Sequence, residues 1–160
     1  MTPAELREDV GVELEALETI VQELMSLQAD VADCAPTVRE QTAAAAFLAQ
    51  FYTGVENILK RISAYHNVPM PTGETWHVDL FRRFCSPAYP RLPVLFDASL
   101  EAALAPYRRF RHVALHSYGF QLEWSRMVEG VAAVENVFAQ ITAKLTEYLR
   151  IIERSGHTQG

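Results

Sequence analysis

The chain has 160 residues, 49% hydrophobic and 21% charged, with a net charge of −6. That length fits one domain able to bury roughly two-thirds of its unfolded surface, and the excess of acid argues against a nucleic-acid-coating face. No run of about 18 apolar residues is present to span a membrane. Cys34 and Cys85 form no C-x-x-C pair and supply neither a disulfide nor a zinc framework; both are expected as buried or half-buried thiols. The amino terminus, MTPAELREDV, lacks the basic-then-apolar pattern of a signal peptide, so a cytoplasmic protein is expected.

Residues 3 to 32 predict a first helix. Leu6, Val10, Leu14, Leu17, Val21, Leu24, Leu27 and Val31 recur at three- and four-residue steps with acids between them. Pro36 breaks it, and Thr37 with Glu40 forms a capping box that opens a second helix to about Tyr65. Its stripe is Ala43, Phe47, Phe51, Val55, Ile58 and Ile62; Ala43 to Ala46 and Gly54 are small enough for a neighbouring helix to come close. Glu56, Asn57, Lys60 and Arg61 read as its solvated back. Pro69, Pro71 and Gly73 mark the main loop. Trp76 to Phe84 predicts a short helix with Leu80, Phe81 and Phe84 inward and Trp76 as a core or interface anchor. His77 there reads more readily as a helix-end hydrogen-bonding residue than as a catalyst.

A fourth helix is expected from Asp97 or Ser99 to Tyr118, kinked at Pro106 and stopped by Gly119. The last runs from about Leu122 to Glu153, with Met127, Val131, Val134, Phe138, Ile141, Leu145, Tyr148 and Ile152 on one side. No β-alternation is sustained. The expected fold is therefore all-α, an up-and-down bundle of four long helices plus one short helix. One domain spans residues 1–155, and residues 156–160 form a flexible tail.

Charge is segregated. Between Trp76 and Arg126 lie seven arginines (82, 83, 91, 108, 109, 111 and 126) against four acids (Asp79, Asp97, Glu101 and Glu123). This stretch carries +3 and the remainder −9, which allows one local anion site. Its densest part is Phe110 to Phe120, holding Arg111, His112, His116 and Tyr118. At about 100° per helical residue, Arg111 and Tyr118 share one face while Arg109, His112 and His116 share another. One rigid helix would not aim Arg111 and His116 at a single small target. Two copies facing each other across a two-fold axis could pool both faces.

The chemistry these groups allow is phosphodiester cleavage without a metal. His116 can take a proton from a ribose 2′-hydroxyl near neutral pH, its partner copy can return one to the leaving oxygen, and Arg111 can neutralise the phosphate. The 2′-hydroxyl as internal nucleophile makes the substrate RNA. Two alternatives compete with this. His112 and His116, four apart, could chelate zinc, although no acidic third ligand follows and the arginines repel a cation. The stretch could also be an ordinary wet helix end.

Arg111-His112-x-x-x-His116-x-Tyr118 resembles the Arg-x4-His-x-Tyr motif of HepT-type toxins in the HEPN superfamily. Phe51-Tyr52-x-Gly54-Val55-Glu56, Pro71 to His77, Phe110-Arg111-His112 and His116-x-Tyr118-Gly119-Phe120 resemble blocks of those proteins in the same order, over about residues 45 to 128. The resemblance implies a HEPN-like bundle that forms a homodimer and acts as a metal-independent endoribonuclease toxin, with no cofactor. It makes Arg111 and His116 catalytic, with His112, Arg108 and Arg109 supporting or binding phosphate. Tyr118 becomes the residue that a cognate nucleotidyltransferase antitoxin modifies with AMP. The alternative within the same superfamily is a non-catalytic nucleotide-binding or partner subunit of a nucleotidyltransferase.

Overall fold

In the computed structural model, which describes residues 1–118 and 121–158, five α-helices account for the regular structure. They are α1 (Pro3–Asp30), α2 (Val38–Tyr65), the short α3 (Trp76–Arg82), α4 (Ala98–Leu115) and α5 (Trp124–His157). Among the described residues there is no strand, only an isolated bridge between Cys85 and Phe96. The architecture is an all-helical, HEPN-like bundle.

Capping starts the first two helices. Thr2 and Glu5 form a reciprocal capping box on α1, and Thr37 and Glu40 do the same on α2. Each box satisfies two of the amide donors that a helix start leaves open. Asp97 caps α4 by accepting from the Leu100 amide at 2.8 Å. The expected stripes face inward: Leu6, Val10, Leu17, Val21, Leu24 and Leu27 of α1 are buried, as are Met127, Val131, Val134, Ile141, Leu145 and Tyr148 of α5.

Helix α2 is the central element, packed by α1, α3, α4 and α5. Ala44, Ala45 and Gly54 permit the close approach; a Cβ on Gly54 would overlap the buried Leu17 side chain of α1. Because neighbours lie on several sides, burial on α2 extends beyond the single stripe to Tyr52, Glu56, Leu59 and Ser63. Glu56 is therefore a buried carboxylate, not part of a solvated back.

Element ends also differ from the sequence pattern. Helix α4 passes through Pro106 and ends at Leu115, with His116 as its C-cap; Tyr118 lies beyond the helix and Gly119 outside the described residues. Val113 and Leu115 of the last turn are exposed, so no burial rewards continuing the helix through residues of modest helical propensity. Helix α5 runs past the expected end near Glu153 to His157, into the stretch expected as a tail. Arg7 binds Glu153 bidentately at 2.5 and 2.6 Å, Ile152 packs on the core, and Gly156 lies beside Pro3. Cys85 is buried, and that burial, followed by Glu101, pushes its thiol up to about 11. Cys34 is exposed, because the chain has left α1 by that point.

Candidate functional site

The loop before α3 and the carboxyl-terminal half of α4 enclose a cavity of about 880 Å3. Gly73, at φ 96°, supplies the left-handed turn that brings Glu74, Thr75 and Trp76 to its wall. The short helix after it is anchored firmly. Leu80, Phe81 and Phe84 are buried, Phe81 stacks on Phe96 with centroids 5.3 Å apart, and Arg83 donates to the Pro69 carbonyl at 2.7 Å. His77, near the start of α3, is thus held opposite α2.

Arg108, Arg109, Arg111, His112 and His116 all line this cavity. A single chain therefore gathers Arg111 and His116 on one space, which the two-face reading of an ideal helix did not anticipate. His116 sits at the helix end, where its amide bonds to the Val113 carbonyl, and its imidazole meets that of His112 edge-on with centroids 4.9 Å apart. Tyr118 lies outside the cavity wall, 68% exposed, with its backbone tied to Gln121. Ending α4 early removes the common face expected for Arg111 and Tyr118.

Arg111 is the most constrained member, its side chain only 17% exposed. Its Nε donates to Thr53 Oγ1 at 2.8 Å, and the Thr53 hydroxyl donates in turn to the Ala49 carbonyl at 3.1 Å. Nη1 lies 3.6 Å from Glu56 Oε1, while the other carboxylate oxygen lies 2.5 Å from His77 Nδ1. Glu56, at 1% exposure, thus joins a guanidinium and an imidazole from two other elements. Nη1 of Arg111 also lies 3.5 Å from His77 Nδ1. Arg108 lies over the Phe81 ring at 5.2 Å, which fixes a second guanidinium at the wall.

Two further features suit a polar, planar ligand. Tyr52 lines the cavity, yet its buried hydroxyl has no hydrogen-bond partner among the described residues. Burial first, and then Glu56, push this phenol well above its ordinary value, so it stays protonated and can donate. Trp76 lies against His77, the rings tilted by 32° with centroids 3.4 Å apart, and carries Lys60 Nζ 4.8 Å from its ring. Trp76 is therefore half-buried, packed against the core on one side and part of the cavity wall. No group of three or more potential metal ligands occurs among the described residues.

Glu56 and His77 are the members that periodicity missed. A signal was available for Glu56. It falls in the row Tyr52, Glu56, Leu59, Ser63 at helical spacing, which is a continuous face once α2 is central.

An all-helical bundle with an arginine-rich, histidine-bearing cavity defines a candidate site for an anionic ligand. A family model described as HepT-like protein matches residues 43–152, which include every residue placed at this cavity. The chain belongs to the HepT-like family, within the HEPN superfamily. No curated protein and no solved structure matches it.

Proposed function

We propose that this chain is the toxin of a toxin–antitoxin pair, a cytoplasmic, metal-independent endoribonuclease. The observation that carries the reading is the gathering of Arg111 and His116 on one cavity, with Arg111 fixed by Thr53 and Glu56. In it, Arg111 neutralises the phosphate, and Arg108, Arg109 and His112 add positive or hydrogen-bonding capacity. His116 removes the 2′-hydroxyl proton, and that oxygen attacks phosphorus, displacing the 5′-oxygen as a 5′-hydroxyl and leaving a 2′,3′-cyclic phosphate.

A homodimer is part of the proposal. Val113, Leu115 and Tyr118 are exposed around the end of α4, and covering them with a second copy would bring two cavities together. Tyr118, accessible and two residues past His116, is the site at which a nucleotidyltransferase antitoxin would add AMP. The added negative charge would then lie close to the groups that must receive RNA.

Induced alone, the wild-type chain is expected to arrest growth and degrade RNA, and His116→Ala to do neither. Purified protein should cleave RNA undiminished in EDTA. Harmless wild type that leaves RNA intact would refute the ribonuclease reading. The orphaned Tyr52 hydroxyl favours one second reading, a non-catalytic subunit that binds a nucleotide in the same cavity; saturable nucleotide binding without RNA cleavage would select it. After co-expression with the antitoxin, intact mass should rise by whole AMP units on Tyr118. An unmodified tyrosine in a neutralised toxin would exclude that mode of control.

A further inference from the structure

Cleavage by an internal 2′-hydroxyl needs two proton transfers. One proton leaves the nucleophile; another must reach the 5′-oxygen, a poor leaving group as an alkoxide. His77, His112 and His116 all line the cavity. His112 and His116 are exposed and contact each other, and neither has a hydrogen bond to a carboxylate among the described residues. His77 differs in every respect. Its Nδ1 is engaged by the buried Glu56 carboxylate at 2.5 Å, its ring lies tilted against Trp76, and it rides on a helix locked by Leu80 and Phe81.

As an ionised carboxylate Glu56 accepts, which puts a proton on Nδ1 and makes the 3.5 Å approach of Arg111 Nη1 to that nitrogen a contact and not a hydrogen bond. That fixes the ring's orientation and leaves Nε2 as the nitrogen that exchanges protons with a ligand. A carboxylate orienting an imidazole in this way is the general arrangement for an acid–base histidine. The same carboxylate faces Arg111, so phosphate binding and proton delivery are positioned by a single buried group.

We propose that His77 is the general acid of the cleavage step, acting in the same chain as the base His116; the assignment rests on the ribonuclease reading above. His116 accepts the 2′-hydroxyl proton as the 2′-oxygen bonds to phosphorus. The bond from phosphorus to the 5′-oxygen breaks, and that oxygen takes the proton from His77 Nε2. The products are a 2′,3′-cyclic phosphate and a 5′-hydroxyl. His116 ends protonated and His77 neutral, with no oxidant, metal or cofactor required. Glu56 touches neither reacting oxygen and is a positioning residue. Proton donation therefore needs no second copy, whatever dimerisation adds to RNA binding.

The test uses one RNA oligonucleotide containing a site the wild-type protein cleaves, and the same oligonucleotide with sulfur replacing the bridging 5′-oxygen there. A thiolate leaves without being protonated. His77→Gln is expected to slow the oxygen substrate about 10²- to 10⁴-fold and the sulfur substrate by less than about tenfold. His116→Ala should slow both alike. Comparing the two substrates on one preparation cancels any loss of folded enzyme. Equal slowing of both by His77→Gln would reduce His77 to a structural part, and no slowing of either would remove it from the reaction. Wild type that cleaves no RNA would overturn the ribonuclease reading itself, and this assignment with it.

Discussion

Glu56→Ala is expected to destabilise the protein by about 3 kcal/mol and to lower RNA cleavage at least about 100-fold. The carboxylate is 1% exposed and serves both His77 and Arg111. Without it, the Arg111 guanidinium keeps Thr53 and, at 3.5 Å, the His77 ring nitrogen as its neighbours, neither of them an anion. Breaking a buried pair from one side costs about 3–5 kcal/mol. The lower end applies here, because Arg111 and His77 border a cavity that water can enter. For a chain of this size each kcal/mol moves the melting temperature by about 2–4 °C, so a fall of about 6–12 °C should be seen. Glu56→Gln keeps the volume and one acceptor and should recover much of the stability but little of the activity. A melting temperature for Glu56→Ala within about 1 °C of wild type would show that the carboxylate is not held as described.

The second large effect concerns Gly54, and here two opposing terms must be weighed. Glycine to alanine inside a helix ordinarily stabilises by about 0.5–1 kcal/mol. At Gly54, however, the new methyl meets Leu17, whose Cγ lies 3.0 Å away and whose Cδ2 is closer still. Leu17 is itself buried at 1% exposure, so any move it makes presses on other core side chains. Overpacking costs about 1–3 kcal/mol, so Gly54→Ala should be net destabilising, and Gly54→Val more so. Gly11, on α1, has nothing within 4 Å of its would-be methyl, and Gly11→Ala should stabilise. Urea unfolding of the two alanine variants would decide it, since shifts of the same sign would contradict the α1–α2 contact.

Much of this molecule was legible in its sequence because helical stripes report burial directly. The capping box at Thr37, the inward rows of α1 and α5, and the close approach at Gly54 all follow from period and side-chain size. The grouping of Arg111, His112 and His116 was also readable as a density of polar function. Glu56 was not, since a stripe argument assumes one buried face, whereas α2 is packed on several. The role of His77 depends on a contact 21 residues away in sequence, which local pattern does not encode. The end of α4 escaped for a third reason: Gly119 is the only strong stop signal there and implies an end at Tyr118, but packing is lost sooner and the helix ends three residues earlier, at Leu115. That difference moved Tyr118 off the face of Arg111.

The way Arg111 is held has a consequence for recognition. A free arginine side chain carries about 2 kcal/mol of rotamer entropy, which a phosphate must ordinarily suppress when it binds. Here Thr53 and Glu56 impose one orientation before any ligand arrives, so that entropy is lost on folding and not again on association. The rigidity also makes the guanidinium selective, because an anion that arrives in another orientation finds it unable to follow.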